Sequence, residues 1–454
     1  MYRTALADLQ NWLQSSDRKP LVMRGARQVG KTWLVRQLAK ITGSQLIEIN
    51  FEQNPQFASM FESNDPKQII INLGAALNTT IAISKSILFL DEIQTVPELL
   101  SKLRWFAEDL PELAVISTGS LLDFVLAEHS FSMPVGRISY LHLEPLTFEE
   151  FLLAKGQKKL FEFIQNFSWQ NSIPKLIHEK LLSLFKEYII IGGMPAVTAS
   201  WIKNNSPVEI NRLHHELLTA YKDDFAKYAG KISTVRLEEV LTAFSQMLGK
   251  KFIYNKVNKE VSYTSIKNAL QLLVKAGICH QVISTAANGI PLGAEINTKF
   301  FKVIGIDVGL VSAALKLGLH QMDSITEINL INSGGIAEQV VGQLLRTIEP
   351  GYIEPSLYYW VREQKNSAAE VDYLIQHQNK IIPIEVKAGS TGTLKSLHFF
   401  MALKKLQTAV RINSDVPTIT QINTKIHNGS TIKYQLISIP FYLTQQLYRL
   451  LESC

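Results

Sequence analysis

The sequence predicts an α/β protein whose first part is a parallel sheet flanked by helices. Three observations carry this prediction: apolar runs alternate with helix-like stretches over residues 1–145, a glycine-rich loop follows the first run, and two adjacent acids end the third run. Strands that alternate with helices are typical of a parallel sheet with helices on its faces. The predicted strands are LVMRG, QLIEINFE, SILFLDE, LAVISTGS and ISYLHLEPL.

Length and composition indicate several folded domains in a reducing compartment. The chain has 454 residues, of which 46% are hydrophobic and 19% are charged, and domains commonly hold about 100–150 residues. Its two cysteines, Cys279 and Cys454, exclude a disulfide framework and a cysteine-based zinc site. No apolar run approaches the roughly 20 residues that span a bilayer, so we expect a cytoplasmic protein with no membrane partner.

Beyond the first sheet, the patterns predict a helical lid, a winged-helix-like domain and a second α/β unit. Phe148 and Phe151 recur at helical spacing, and a later helix, which Ser262 or Thr264 caps, ends at Gly277 before a β-ribbon. The predicted domains are the first α/β core over 1–145, the lid over 146–205, the winged-helix-like domain over 206–290, a connector over 291–330 and the second α/β domain over 331–454.

A loop that fits G-x(4)-G-K-[ST] joins the first predicted strand to the following helix. In Gly25–Thr32 the glycines let backbone N–H groups face phosphates, and the helix N-terminus adds positive potential. We expect Lys31 to reach the β- and γ-phosphates of ATP, and the Thr32 hydroxyl to bind Mg²⁺. The predicted nucleotide-binding residues are Gly25, Ala26, Arg27, Gln28, Val29, Gly30, Lys31, Thr32, Trp33, Asp91 and Ser120.

Two adjacent acids close the third apolar strand, and after a phosphate-binding loop such acids are typical of a catalytic site. Asp91 is expected to bind Mg²⁺, while Glu92 acts as the general base that polarises the attacking water. The alternative is a solvated turn. On the next strand, Thr118 or Ser120 could sense the γ-phosphate, or could merely cap the strand end.

Arg137, in the stretch PVGR before the fifth strand, is the predicted arginine finger. Charge that develops on the γ-phosphoryl group needs a cation not already engaged, and this residue could supply it within its own subunit or to a neighbouring one. An exposed structural arginine is the competing interpretation.

These motifs together resemble a known family. GARQVGKT, LFLDEIQ, STGS and PVGRISYLHLEPLTFEEFL are similar to the bacterial and archaeal AAA+ ATPases whose C-terminal half is an associated domain of unknown function. IIIGGMPAV, SYTSIKNALQLLVKAGI, KFFKVIGIDVGL, GIAEQVVGQLL and EVDYLI…PIEVKAG resemble that second half. The resemblance implies a P-loop AAA+ ATPase core with a helical lid, a winged-helix-like middle and a restriction-endonuclease-like α/β domain at the C-terminal end.

The nuclease-like resemblance implies a second site in EVDYLIQHQNKIIPIEVK and the helix before it. Glu338, Asp372 and Glu385 would bind one or two Mg²⁺ ions through carboxylate oxygens, with Glu385 and Lys387 as catalytic residues. Residues two apart on a strand share a face, so Glu385 and Lys387 lie side by side. The alternative is an ion pair along the strand that has no catalytic role.

The function that these patterns predict is ATP hydrolysis with Mg²⁺, in which the nucleotide state controls a nuclease-like module that acts on DNA. The last segment supports a DNA partner, because residues 395–454 carry seven Lys/Arg against two Asp/Glu. The alternative is an ATP-dependent regulatory switch or scaffold with a catalytically silent nuclease-like fold. A homo-oligomer is left open.

Overall fold

The computed structural model divides the chain into two compact units. Unit 1 holds residues 1–145, 275–277 and 350–354, and unit 2 holds residues 146–274, 278–349 and 355–454. The structure describes residues 2–119, 122, 134–228, 233–317, 334–364, 367–389, 393–426 and 431–454.

Unit 1 is built on a five-stranded sheet in the order β2-β3-β4-β1-β5. All of its neighbouring strands pair in parallel, which confirms the predicted parallel sheet. Every residue of β3, which lies between β2 and β4, is buried, as is typical of a strand with helices on both faces. The strands are β1 (Leu21–Arg24), β2 (Gln45–Asn50), β3 (Ser86–Asp91), β4 (Ala114–Thr118) and β5 (Ser139–His142).

Helices connect these strands and cover the sheet with apolar side chains. Phe106, Leu103 and Leu100 on one helix pack into the same buried cluster as Leu88 and Leu90 of β3. The helices are α1 (Ala5–Gln14), α2 (Lys31–Thr42), α3 (Pro66–Ala76) and α4 (Leu99–Asp109), and short 3₁₀ turns span Pro55–Phe61, Ile83–Lys85 and Ile93–Thr95. Because the strands are parallel, their carboxyl ends meet at one edge of the sheet, where the loops after β1, β3 and β4 converge.

Unit 2 begins with helices, in agreement with the predicted helical pattern. Thr147 and Glu150 form a capping box at the start of its first helix, since each side chain accepts a hydrogen bond from the other residue's backbone N–H. The helices are α5 (Phe148–Ala154), α6 (Lys158–Asn166), α7 (Lys175–Ile191), α8 (Pro195–Asn204), α9 (Pro207–Tyr228), α10 (Thr234–Gln246), α11 (Tyr254–Val257), α12 (Tyr263–Lys275) and α13 (Val308–Ala314).

A mixed eight-stranded sheet in the order β12-β13-β11-β10-β9-β8-β6-β7 forms the second half of unit 2. Its strands are β6 (Cys279–Thr285), β7 (Ile296–Gly305), β8 (Leu357–Gln364), β9 (Ser367–His377), β10 (Lys380–Val386), β11 (Thr408–Asn413), β12 (Thr418–Lys425) and β13 (Thr431–Pro440). The remaining helices are α14 (Gly334–Leu345), α15 (Lys395–Lys404) and α16 (Leu447–Glu452), with 3₁₀ turns at Leu292–Glu295 and Phe441–Gln446.

The predicted β-ribbon exists, but it belongs to this large sheet. β6 and β7 pair antiparallel with each other, and β6 also pairs with β8 of the predicted C-terminal domain. The sheet therefore crosses the boundaries that we predicted at 290/291 and 330/331. Helix α12 ends at Lys275, and Gly277 follows it in a left-handed conformation as expected, with φ of 70° and a 3.0 Å hydrogen bond from the Ile278 N–H to the Leu273 carbonyl. The winged-helix-like middle stays a prediction.

Two glycine-containing motifs of unit 2 pack against one buried carboxylate. Asp307 caps α13 by accepting a hydrogen bond from the Leu310 N–H at 3.0 Å, and it accepts another from the Gly193 N–H at 2.6 Å. A Cβ atom at Gly193 would lie 2.0 Å from the Leu146 carbonyl oxygen, and one at Gly192 would lie 2.1 Å from Asp307 Oδ1. The glycines of GGMPAV thus let the backbone approach Leu146 and the Asp307 side chain of IGIDVGL more closely than a residue with a Cβ atom could.

Candidate functional site

The predicted phosphate-binding loop lies between β1 and α2 at the carboxyl edge of the unit 1 sheet. Three of its residues have left-handed backbone, with φ of 146° at Gly25, 65° at Gln28 and 98° at Gly30. A Cβ atom at Gly25 would lie 2.3 Å from the Leu143 carbonyl oxygen, so the loop needs glycine there. Gly30 immediately precedes α2, which places the helix N-terminus at the end of the loop.

The side chain of Lys31 lies across this loop. Its ammonium donates hydrogen bonds to the carbonyls of Gly25 at 2.9 Å and Ala26 at 2.7 Å, and the residue is 8% exposed. Burial lowers the pKa of Lys31 to about 8, although the nearby charges of Glu92 and Asp91 oppose that shift. The cation is therefore already in place at the loop, where phosphate oxygens can replace the two carbonyls as acceptors.

Polar side chains from three other segments meet at Asp91, which is 4% exposed. Its carboxylate accepts hydrogen bonds from Thr32 Oγ1 at 3.1 Å, from Asn50 Nδ2 at 3.4 Å and from the Thr118 hydroxyl. A threonine hydroxyl beside a carboxylate is a donor set that suits Mg²⁺. Thr32 and Asp91 thus fit the predicted ion, and Thr118 reaches the same carboxylate.

Glu92 follows Asp91 in a left-handed conformation, with φ of 54°. Gln94 Nε2 donates a hydrogen bond to Glu92 Oε2 at 2.5 Å, while Gln94 Oε1 is buried and has no hydrogen-bond partner among the described residues. The same oxygen lies 2.4 Å from where a Cβ atom at Gly119 would stand. Gln94 therefore sits between the predicted general base and the end of β4.

Sequence reasoning missed both Asn50 and Gln94. Asn50 is the last residue of β2, and it stands opposite Asp91 in the β2–β3 register. A polar residue that ends a strand beside an acid-terminated strand is the signal that could have identified it. Gln94 lies in the motif DEIQ, but its contact with Glu92 depends on the 3₁₀ turn Ile93–Thr95.

Arg137 lies far from the loop in its own chain. It precedes β5, which runs parallel to β1, so it lies near the amino ends of the strands while the loop follows the carboxyl end of β1. Its guanidinium, 52% exposed, pairs with Glu108 Oε1 at 2.7 Å. A finger that acts on a neighbouring subunit stays a prediction. Ser120 lies outside the described residues, and Trp33 is exposed at the start of α2.

The residues of the second predicted site do gather in unit 2. Glu338 lies on α14, Asp372 on β9 and Glu385 on β10, with Lys387 directly after that strand. β9 and β10 form an antiparallel pair, and Asp372 Oδ2 accepts a hydrogen bond from the Val386 N–H at 2.8 Å. Lys387 Nζ pairs with Glu385 Oε1 at 2.7 Å, which is the ion pair that we gave as the alternative.

Two charged residues at this site, Glu370 and Lys302, were not predicted from the sequence. Carboxylate oxygens of Glu338, Glu370 and Asp372 lie within 4.8 Å of one another. Lys302 of β7 enters this cluster, with Nζ 2.8 Å from Glu338 Oε2 and in contact with Glu370. The ammonium therefore stands among the oxygens that a divalent ion would need, and this arrangement does not fit a bound Mg²⁺.

Burial and neighbouring charges both shift the pKa values of these groups. Burial lowers the pKa of Lys302, but the charges of Glu338, Asp372 and Glu370 outweigh it and hold that pKa well above the usual lysine value. Burial raises the pKa of Glu385 to about 7, the charge of Asp372 adds to the rise, and Lys387 opposes it. Glu385 is 5% exposed, and its Oε2 has no hydrogen-bond partner among the described residues.

Family models match three consecutive regions of the chain. An AAA domain matches residues 17–152, and two domains of unknown function match residues 182–321 (DUF8612) and 333–440 (DUF4143). No curated protein matches the chain. Within the described residues, every helix is too short or too polar to cross a membrane.

Solved structures that match the chain include one protein of Pyrococcus abyssi and two of Aeropyrum pernix. The Walker-type ATPase PABY2304 of Pyrococcus abyssi is 16% identical with a TM-score of 0.43, and the match covers 68% of this chain and 94% of that one. The ORC2 protein of Aeropyrum pernix, solved as ADPNP–ADP complexes, is 11% identical with a TM-score of 0.35, covering 71% and 95%. The ORC1 protein of the same organism, solved with DNA, is 11% identical with a TM-score of 0.27, covering 70% and 93%.

Because these TM-scores are low, the assignment depends on the AAA model and on the local geometry. The AAA family model spans the phosphate-binding loop, the adjacent acids Asp91 and Glu92, and all five strands of the unit 1 sheet. Residues 17–152 therefore form a P-loop domain of the AAA type.

Proposed function

We propose that unit 1 binds ATP with Mg²⁺ and hydrolyses it. The observation that carries this proposal is the convergence of Thr32, Asn50 and Thr118 on the Asp91 carboxylate beside the phosphate-binding loop. Lys31 and the loop N–H groups would hold the phosphates, and Thr32 and Asp91 would hold Mg²⁺, which supplies charge neutralisation on the phosphoryl oxygens. Glu92 would orient the attacking water and accept its proton.

ATP binding and turnover by two variants test this assignment. Lys31→Ala is expected to lose ATP binding, because the ammonium is the loop's buried cation. Glu92→Gln is expected to keep ATP binding and to lose about 100-fold or more in turnover, since it removes the base and little else. Lys40→Ala, an exposed lysine on α2, is the matched control. Turnover by Glu92→Gln at the wild-type rate would contradict the proposed role of Glu92.

We further propose that the nucleotide state of unit 1 controls the nuclease-like module formed by residues 331–454, with DNA as the partner. The support is the resemblance, the basic excess after Lys395, and the gathering of Glu338, Asp372 and Glu385 at one place. A catalytically silent module, used as a switch or scaffold, is the second candidate. The position of Lys302 among the carboxylates favours it.

Cleavage of plasmid and branched DNA in Mg²⁺ separates the two candidates. If the module is active, we expect ATP-dependent cleavage of DNA. Lys387→Ala should abolish this cleavage, and Lys31→Ala should remove its dependence on ATP. If no DNA is cut and DNA leaves ATP turnover unchanged, the silent switch or scaffold is correct.

A further inference from the structure

Lys302 is the most completely enclosed cation in the described part of unit 2. Its side chain is 2% exposed, and it projects from β7 towards acids on α14 and β9. Nζ lies 2.8 Å from Glu338 Oε2 and 3.7 Å from Asp372 Oδ1, and it contacts Glu370. The ammonium also lies 5.3 Å from the centre of the Tyr359 ring, a distance at which the ring face attracts a cation.

An ammonium in this position and a divalent ion exclude each other. Mg²⁺ held by the same carboxylates would lie about 2.0–2.1 Å from their oxygens, so it would compete with Nζ, which already contacts oxygens of all three carboxylates. Two cations a few ångströms apart in a buried site would also repel each other strongly. The carboxylates can therefore have one of the two partners, but not both.

The other predicted ligands have local partners as well. Asp372 uses Oδ2 to accept the Val386 N–H at 2.8 Å, and Glu385 pairs with Lys387 at 2.7 Å. Each predicted metal ligand thus bonds a group of the protein itself. Lys302 replaces the ion as the positive charge that lets Glu338, Glu370 and Asp372 come together.

We propose that Lys302 is the resident cation of the carboxylate cluster formed by Glu338, Glu370 and Asp372, and that this cluster holds no divalent metal while Lys302 is in place. The ion pairs of the cluster then link β7 to α14 and β9. The proposal concerns the C-terminal module of the proposed function. Its test needs neither ATP nor DNA, so a failure of ATP hydrolysis or DNA cleavage leaves the result unaffected.

Mn²⁺ binding by the full chain without nucleotide, measured by electron paramagnetic resonance and calorimetry, tests the proposal. Asp372→Asn identifies binding at the cluster, because Mn²⁺ bound elsewhere is kept in that variant. We expect the wild type to show no Mn²⁺ site that Asp372→Asn removes. Lys302→Met is expected to gain such a site and to melt at a higher temperature when Mn²⁺ is added. Lys299→Met, an exposed lysine on the same strand, should behave as the wild type.

Two results would overturn the proposal. The first is a wild-type Mn²⁺ site that Asp372→Asn removes. The second is a folded Lys302→Met variant that gains no Mn²⁺ site, because three carboxylates without their ammonium should then accept the ion. If Lys302→Met does not fold without metal, the comparison of the wild type with Asp372→Asn decides the question.

Discussion

At the scale of single residues, Asp91 of the first predicted site and Glu338 of the second accept hydrogen bonds from different kinds of donor. Asp91 accepts hydrogen bonds from the neutral donors Thr32, Asn50 and Thr118. Glu338 instead accepts a bond from the ammonium of Lys302 at 2.8 Å. Neutral donors leave a carboxylate able to bind an added cation, whereas an ammonium already neutralises it.

Gln94 is predicted to be a positioning residue for Glu92. Gln94→Leu keeps the volume of the side chain and removes the amide that holds the Glu92 carboxylate at 2.5 Å. We expect kcat for ATP to fall about tenfold, with KM nearly unchanged, because the base loses its fixed orientation. Steady-state kinetics measure this, and Gln68→Leu is the control, because Gln68 is an exposed residue of α3. Unchanged kcat would show that Glu92 needs no support from Gln94.

His214 is predicted to make unit 2 sensitive to mild acid. Burial lowers its pKa to about 4, the bond from Nε2 to the Ile191 carbonyl at 3.0 Å opposes the shift, and the residue is 3% exposed. Between pH 6.5 and 4 the unfolded chain binds a proton that the folded chain does not, so the free energy of unfolding falls as pH falls. At pH 5 the loss attributable to His214 is about 2 kcal/mol.

Urea denaturation at pH 7 and pH 5 measures this loss. His214→Gln should be less stable than the wild type at pH 7 and should lose less on acidification. His215→Gln is the matched control, because the neighbouring histidine is exposed. An equal acid loss in the wild type and His214→Gln would rule His214 out as its source.

At the scale of elements, the parallel strands of unit 1 explain why distant segments form one site. The loop after β1, Asn50 at the end of β2, Asp91 at the end of β3 and Thr118 at the end of β4 all lie at the carboxyl edge. Arg137 precedes β5 and so lies at the opposite edge. The direction of each strand, rather than its distance along the chain, decides which residues meet.

Close backbone contact at Gly193 is predicted to hold α7, α8 and α13 together. Gly193→Ala would place Cβ 2.0 Å from the Leu146 carbonyl oxygen and displace the N–H that bonds Asp307. We expect it to lower the free energy of unfolding by about 2–3 kcal/mol. Urea denaturation measures the loss. Gly289→Ala is the control, because a Cβ atom there would meet nothing within 4 Å. Equal stability of the two variants would argue against this contact.

At the scale of the whole molecule, Arg137 bears on whether the chain acts as an oligomer. Its guanidinium lies at the edge of the unit 1 sheet opposite the loop and is 52% exposed, so another subunit could receive it. An arginine finger must reach the γ-phosphoryl group, and Arg137 lies too far from the loop of its own chain to do so. We therefore predict that Arg137 completes the ATP site of a neighbouring copy.

Mixing two inactive variants tests this prediction. Lys31→Ala lacks ATP binding but offers Arg137, and Arg137→Ala binds ATP but lacks the finger. We expect their mixture to recover ATP turnover that neither variant has alone. Arg104→Ala, which also removes a cation beside Glu108, should stay active by itself. No recovery in mixed oligomers would leave Arg137 as the structural arginine of the competing interpretation.

Features that are contiguous along the chain could be predicted from the amino-acid sequence alone. The strand, loop and helix around Gly25–Thr32, the acid-terminated strand β3 and the helix that ends at Gly277 each depend on short local patterns, which sequence displays directly. The parallel sheet followed from the alternation of those patterns.

The partners of these residues, in contrast, depend on long-range contacts that are visible only in the folded chain. Lys302 meets Glu338 and Asp372 across separations of 36 and 70 positions, and it does so because β7 joins the same sheet as β9. Strand order and register are properties of long-range pairing, which local patterns do not encode. For that reason the sequence could name the acids of the second site, but not the lysine that neutralises them.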